Sequence, residues 1–314
     1  MQEINLVLQG LVLLVMVMGS LLWIVFLVRW ARKKTHPRNL VPLQSQKQPF
    51  WTAAEFLIMF GALVVSGALL TGHHAEVWIM EHVIGSSDKD LTSLVHKLVL
   101  GSGSSLIAGG VTLTWFFLIN AREMMAVKWL PKMAEIKHGL VAALWLLPPI
   151  GLISTLLSFL VPYEHQALDA LKASPTLGTF GLVFFGTVIV APIFEEFLFR
   201  VVLQGGLQRI IDEPKDRGVE VSIDGVRSWK PRSYIPIFIS SAIFAAMHIG
   251  QGAAPIALFF LSAGLGLLYR QTGRVTAPIV VHMVLNGTTI CVTFSDLVVE
   301  ASKPVANIFG VAIQ

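Results

Sequence analysis

The sequence predicts an all-α, polytopic membrane protein of about eight spans. Three observations carry that class. The 314 residues are 54% hydrophobic and only 13% charged, about half the charged share of an ordinary soluble domain. Several apolar runs approach the ~20 residues that cross a hydrocarbon core. Lysine and arginine then fall in every second connection between those runs, as they do where cytoplasmic loops alternate with outer ones.

Taken in order, the apolar segments are roughly 5–28, 52–72, 97–120, 139–161, 179–207, 234–249, 254–270 and 275–296. The chain begins MQEINLVLQG, where the first charge is acidic and the apolar run too long for a signal peptide, so the first segment reads as a retained span. The odd connections hold the cations. Arg29, Arg32, Lys33, Lys34, Arg38 and Lys47 lie in the first, and Arg122, Lys128, Lys132 and Lys137 in the third. The fifth holds Arg209, Lys215, Arg217, Arg227, Lys230 and Arg232, and the seventh Arg270 and Arg274. The even ones have Lys89, Lys172 and, in the sixth, none. Both termini are therefore expected outside and the odd loops in the cytoplasm. The second loop (73–96) and the fourth (162–176) suit amphipathic pieces along the outer interface. Asp224-Gly225 suggests a small hairpin in the fifth. Pro148-Pro149 and the glycines of GSGSSLIAGG are expected to kink or tighten their spans, small residues being usual at membrane helix contacts. The one cysteine, Cys291, allows neither a disulfide framework nor a cysteine-based zinc site. Read loop by loop, the net charge of +4 gives no nucleic-acid signal.

Polar residues interrupt the last four spans. They are Glu195, Glu196 and Arg200, then His248, then His282 and Asn286. Intramembrane ionisable residues are costly and are functional by default. Glu196 and Arg200 are four apart and share a helix face, whereas Glu195 is turned about 100° away. His282 and Asn286 share a face, as do Phe244 and His248. Pro192 removes a backbone hydrogen bond just before the glutamates and is expected to bend that helix. At ~1.5 Å per residue, Glu195 lies roughly 21 Å from Arg209, His248 roughly 24 Å from Arg232, and His282 roughly 12 Å from Arg274. The predicted outcome is one buried layer to which three spans contribute.

Two chemistries fit that layer. A carboxylate beside an imidazole holds and deprotonates a water, and a second histidine with an asparagine offers donors to an oxyanion. Alternatively Glu195, His248 and His282 supply three ligands to a catalytic zinc with an open water position. Both routes hydrolyse an amide.

EEFLFR at 195–200 fits E-E-x-x-x-R, FAAMH at 244–248 fits F-x-x-x-H, and HMVLN at 282–286 fits H-x-x-x-N. In this order, in successive spans, they resemble the CPBP family of intramembrane endopeptidases. That family includes type II CAAX prenyl endopeptidases and bacteriocin-processing or immunity proteins. The stretch YRQTGRVTAPIVVHMVLN, 269–286, is similar to the family's approach to its third motif. The resemblance implies that Glu195 is the general base, that His248 helps hold the water, that Glu196 and Arg200 are a supporting pair, and that His282 and Asn286 stabilise the oxyanion. It leaves zinc-dependent and metal-free glutamate mechanisms both open. A peptide or prenylated-protein substrate within membrane lipid is implied. CAAX processing calls for a cavity open to the cytoplasmic side, which the basic loops flanking the motif spans allow.

The expected organisation is an N-terminal membrane part (1–174) without motifs, a catalytic membrane core (175–297) containing a cytoplasmic loop (212–233), and a tail (298–314). Plainer readings compete: a structural ion network for Glu195, Glu196 and Arg200, a core histidine bonded to a carbonyl for His248, and inter-helical glue for Asn286. At the level of function the alternatives are a non-catalytic scaffold and a proton-coupled transporter. A transporter predicts internal repeats, and the first four spans hold no counterpart of the motifs.

Overall fold

A computed structural model describes residues 2–32, 43–44, 46–71, 75–84, 89–126, 130–161, 166–212 and 229–302. Among these the fold is helical, with one isolated antiparallel bridge between Gln46 and Trp229. The main helices are α1 (Gln2–Ala31), α2 (Ala54–Leu70), α3 (Lys89–Ala126), α4 (Met133–Ser158), α5 (Gln166–Ala173), α6 (Leu177–Asp212), α7 (Ile235–Ala246), α8 (Ala254–Thr272) and α9 (Thr276–Ser302), and a short helical piece, Ala75–Ile79 continued by π-type turns over Met80–Ile84, lies between α2 and α3. Six of them, α1, α3, α4, α6, α8 and α9, are long and apolar enough to cross a membrane. The expected spans at 52–72 and 234–249 form shorter apolar helices of 17 and 12 residues. Apolar side chains crowd the outside, among them Leu6, Leu57, Leu118, Phe159 and Ile249. A hydrocarbon surrounding stabilises that arrangement, because helices satisfy their own backbone polar groups.

Local chemistry explains where elements break. Asn120, at the predicted end of the third span, leaves helical geometry, and its side-chain oxygen accepts from Glu123 N at 3.1 Å. Gly273 ends α8 in the left-handed region, with its N–H bonded to Tyr269 O at 2.8 Å. α4 continues through Pro148-Pro149, and Gly19 of α1 packs there so tightly that a Cβ would strike Leu144 O and Pro148. The fourth-loop piece is α5. It packs Ala167, Leu168, Ala170 and Leu171 into a core with Val95, Val183, Ile290 and Phe294, so one face is buried in protein. α9 runs to Ser302, past the expected start of the tail, and the Asp224-Gly225 hairpin lies outside the described residues.

Contacts knit the basic residues into one end of the bundle. Arg209 donates to the Phe50 carbonyl. Arg270 donates to the carbonyls of Pro231, Arg232 and Ser233. Arg274 Nε meets Glu135 at 2.7 Å, and Lys47 meets Glu123 at 2.5 Å. Asp212 closes the set by accepting from the backbone N–H groups of Arg232 and Ser233 at 2.8 and 3.2 Å.

Candidate active site

α6 supplies the centre of the site, and its irregularity begins at Pro192. Proline has no N–H to give the carbonyls four and five residues back, which are Val188 and Thr187. The turns over Phe185–Val190 are widened to π-type geometry, and Ala191 N–H goes to Gly186 O. The Thr187 carbonyl is taken instead by Asn286 Nδ2 of α9 at 2.9 Å. A second widened stretch, Phe197–Gln204, follows the glutamates. Such turns occur often at functional sites.

Glu196 is fully buried and divides its oxygens between two partners. Oε2 accepts from Arg200 Nε at 2.8 Å, and Oε1 meets His282 Nδ1 at 2.9 Å. Arg200, also fully buried, donates from Nη2 to Ser262 Oγ of α8 at 2.9 Å. Its guanidinium carbon lies 5.7 Å from the centre of the Phe244 ring. The pair thus clamps α6, α8 and α9 together. Glu195 points away from this network, as the 100° rotation requires, and its Oε2 lies 3.8 Å from His282 Nε2. That separation exceeds a hydrogen bond. The His282 ring therefore stands between the two glutamates, fixed to one and facing the other.

An ionised carboxylate only accepts, so the paired Glu196 requires the proton of His282 on Nδ1. Nε2 then donates only when the ring is an imidazolium. His248 lies in the turn just after α7, and its Nδ1 is bonded to Phe244 O at 2.8 Å. The carbonyl fixes the tautomer in the same way and leaves Nε2 of the neutral ring as an acceptor. This is the carbonyl bond of the plain core-histidine reading. Here, however, the ring also borders a cavity.

That cavity has a volume of about 300 Å³, and Glu195, His248, His282 and Asn286 all line it. Glu196 and Arg200 stand behind His282 and do not line it. α3, read from sequence only as a tightly packed span, contributes Lys97, Gly101, Ser102 and Ser105 to the wall. Gln251 is there too, and its Oε1 is buried with no hydrogen-bond partner among the described residues. Ser262 and Thr187 were not singled out by sequence, since nothing local distinguishes them from other small polar residues in membrane helices. A further row had a visible signal. Gln204, Gln208 and Asp212 continue the four-residue spacing of Glu196 and Arg200, and all five side chains are buried. Gln204 donates to Gly266 O at 2.8 Å, and Gln208 to Asp212 at 2.6 Å.

The zinc alternative does not fit this arrangement. Among the described residues no group of three or more His, Cys, Asp or Glu side chains is placed to hold a metal ion. Glu195, His248 and His282 all line the cavity but do not make such a group. They line it together with residues of the half of α3 that lies before Gly109.

No curated protein and no solved structure matches the chain. A family model does, over residues 177–288, from the first residue of α6 to just past Asn286. Its description is Rce1-like, type II CAAX prenyl endopeptidase, and the matched segment, which carries all six motif residues, is similar to that part of the CPBP family of intramembrane endopeptidases.

Proposed function

We propose that the protein hydrolyses a peptide bond within the membrane by a metal-free glutamate mechanism. One observation carries the reading: Glu195 of α6, His248 of the turn after α7, and His282 and Asn286 of α9 reach a single cavity, with Glu196 holding the His282 ring. Glu195 takes a proton from a water that also donates to His248 Nε2, and the resulting hydroxide attacks the scissile carbonyl. Oxygen becomes negative as the tetrahedral intermediate forms. His282 Nε2–H, as the imidazolium, and the second amide N–H of Asn286 donate to it. Glu195 then passes its proton to the leaving amine, and the C–N bond breaks. In this state Glu195 and Glu196 balance Arg200 and the imidazolium, so the buried cluster is neutral overall before the water is deprotonated. In our reading α2 and α7 complete eight membrane-inserted segments, and the basic end faces the cytoplasm.

The family suggests the first substrate. A quenched-fluorescent farnesylated CAAX peptide and its unprenylated twin would be offered to the protein in liposomes, beside Glu195→Ala and with and without a zinc chelator. Cleavage by the wild type that is lost in Glu195→Ala supports the reading. No cleavage of any peptide, together with an unchanged cellular phenotype for Glu195→Ala, would favour the scaffold instead.

A further inference from the structure

We infer that substrate reaches the catalytic cavity from the side of the membrane opposite the arginine-rich loops, so that the enzyme cleaves peptide segments presented at the extracytoplasmic interface. This rests on the protease reading and the orientation proposed above.

The basic end is a connected layer formed by the contacts of Arg209, Asp212, Arg270, Arg274 and Lys47. Measured from it, the cavity begins near mid-depth and extends away. Glu195 is fourteen residues from Arg209 and Gly186 twenty-three, or roughly 21 and 34 Å of helix. Thr289 is fifteen residues beyond Arg274, roughly 22 Å. Lys97 lies twenty-three residues before the break at Asn120, roughly 34 Å. The lining residues exposed at the surface, Lys97, Gly101 and Thr289, therefore mark a rim on the far half.

Toward the basic end the way is closed. Phe244 forms a fully buried floor, and Leu198, Phe199, Arg200, Gln204, Gln208 and Asp212 fill the space behind it, none more than 4% exposed. A second, mostly apolar cavity of about 390 Å³ lies in the same far half, reaching Ser158 and Val161 at the end of α4. It shares Leu258, Leu285 and Thr289 with the catalytic cavity. One half of the bundle is hollow and the other is packed, so a peptide entering from the cytoplasm meets the packed half.

The test uses full-length protein with Cys291→Ser as background, in right-side-out and inverted membrane vesicles. Lys97→Cys on the rim and Lys230→Cys at the basic end are labelled with a membrane-impermeant maleimide. An impermeant quenched peptide is supplied to each vesicle type, with Glu195→Ala as blank. The expected result is labelling of Lys97→Cys and peptide cleavage in right-side-out vesicles, both lost in inverted ones, with Lys230→Cys the reverse. Thr289→Cys replaces Lys97→Cys if that variant fails to fold. Rim labelling and cleavage confined to inverted vesicles would overturn the inference. Rim labelling from outside with no cleavage on either side would overturn the protease reading while upholding the outward mouth.

Discussion

Replacing Arg200 by methionine tests the clamp behind the site. The arginine has no exposed surface, donates to Glu196 at 2.8 Å and to Ser262 at 2.9 Å, and lies over Phe244. Methionine fills much of the same space, so little of the effect arises from a void. What remains is a buried carboxylate whose only other partner is His282 Nδ1. Removing one member of a buried ion pair costs about 3–5 kcal/mol, whereas replacing both by apolar groups is often neutral. Arg200→Met should therefore lose stability on that scale, and Glu196→Leu/Arg200→Met should recover most of it. The double variant should be inactive, because the His282 ring is no longer held, and Arg200→Met should lose activity because Glu196, which holds that ring, is no longer fixed by its arginine. Denaturant titration in mixed micelles, read by tryptophan fluorescence, gives the stabilities, and peptide cleavage gives the activity. Arg200→Met within about 0.5 kcal/mol of the wild type, the range of an ordinary surface substitution, would refute the buried clamp.

Glu195→Gln should fold normally and lose cleavage by about 10²–10⁴-fold, the usual contribution of a general base; retained cleavage would move that role elsewhere. Asn286→Ala should lower kcat by about 10²–10³-fold with a smaller change in KM, as expected for an oxyanion donor. Gly206→Ala should destabilise by about 1–3 kcal/mol through overpacking, because a Cβ there would overlap the backbone of Thr52 and Ala53. Gly181→Ala, which meets open space, is the matched control in the same thermal unfolding assay. Cleavage should survive a zinc chelator; loss restored by added zinc would show that the ligands converge when substrate binds.

Much of the architecture was legible because the membrane imposes simple rules. Length and hydropathy located the six long apolar helices, and helical spacing alone placed Arg200 against Glu196 and turned Glu195 away. Long-range partners were not legible. That His282 Nδ1 meets Glu196, 86 residues earlier, depends on how α9 packs on α6. The carbonyl that binds Asn286 is free only because Pro192 lies five residues after Thr187, a consequence of widened turns that no periodicity reports. α3 entered the site unannounced, since GSGSS has the same composition whether it packs against a helix or borders a cavity. Which half of the bundle is hollow was not legible either. Basic loops orient a membrane protein, but they do not say which half of it is filled.

The polar row along α6 also constrains how the chain is assembled. Glu196, Arg200, Gln204, Gln208 and Asp212 occupy one stripe, and hydrocarbon is a poor surrounding for any of them. The groups that satisfy Arg200 and Gln204, the Ser262 hydroxyl and the Gly266 carbonyl, each lie 62 residues later in the chain. At ordinary synthesis rates that interval lasts about 3–12 s. During it α6 has emerged while α8 does not yet exist. The helix must wait in water, in the insertion machinery or against an earlier span, and it enters lipid only in company. The distance in sequence between the polar stripe and its partners thus sets how long α6 goes without them.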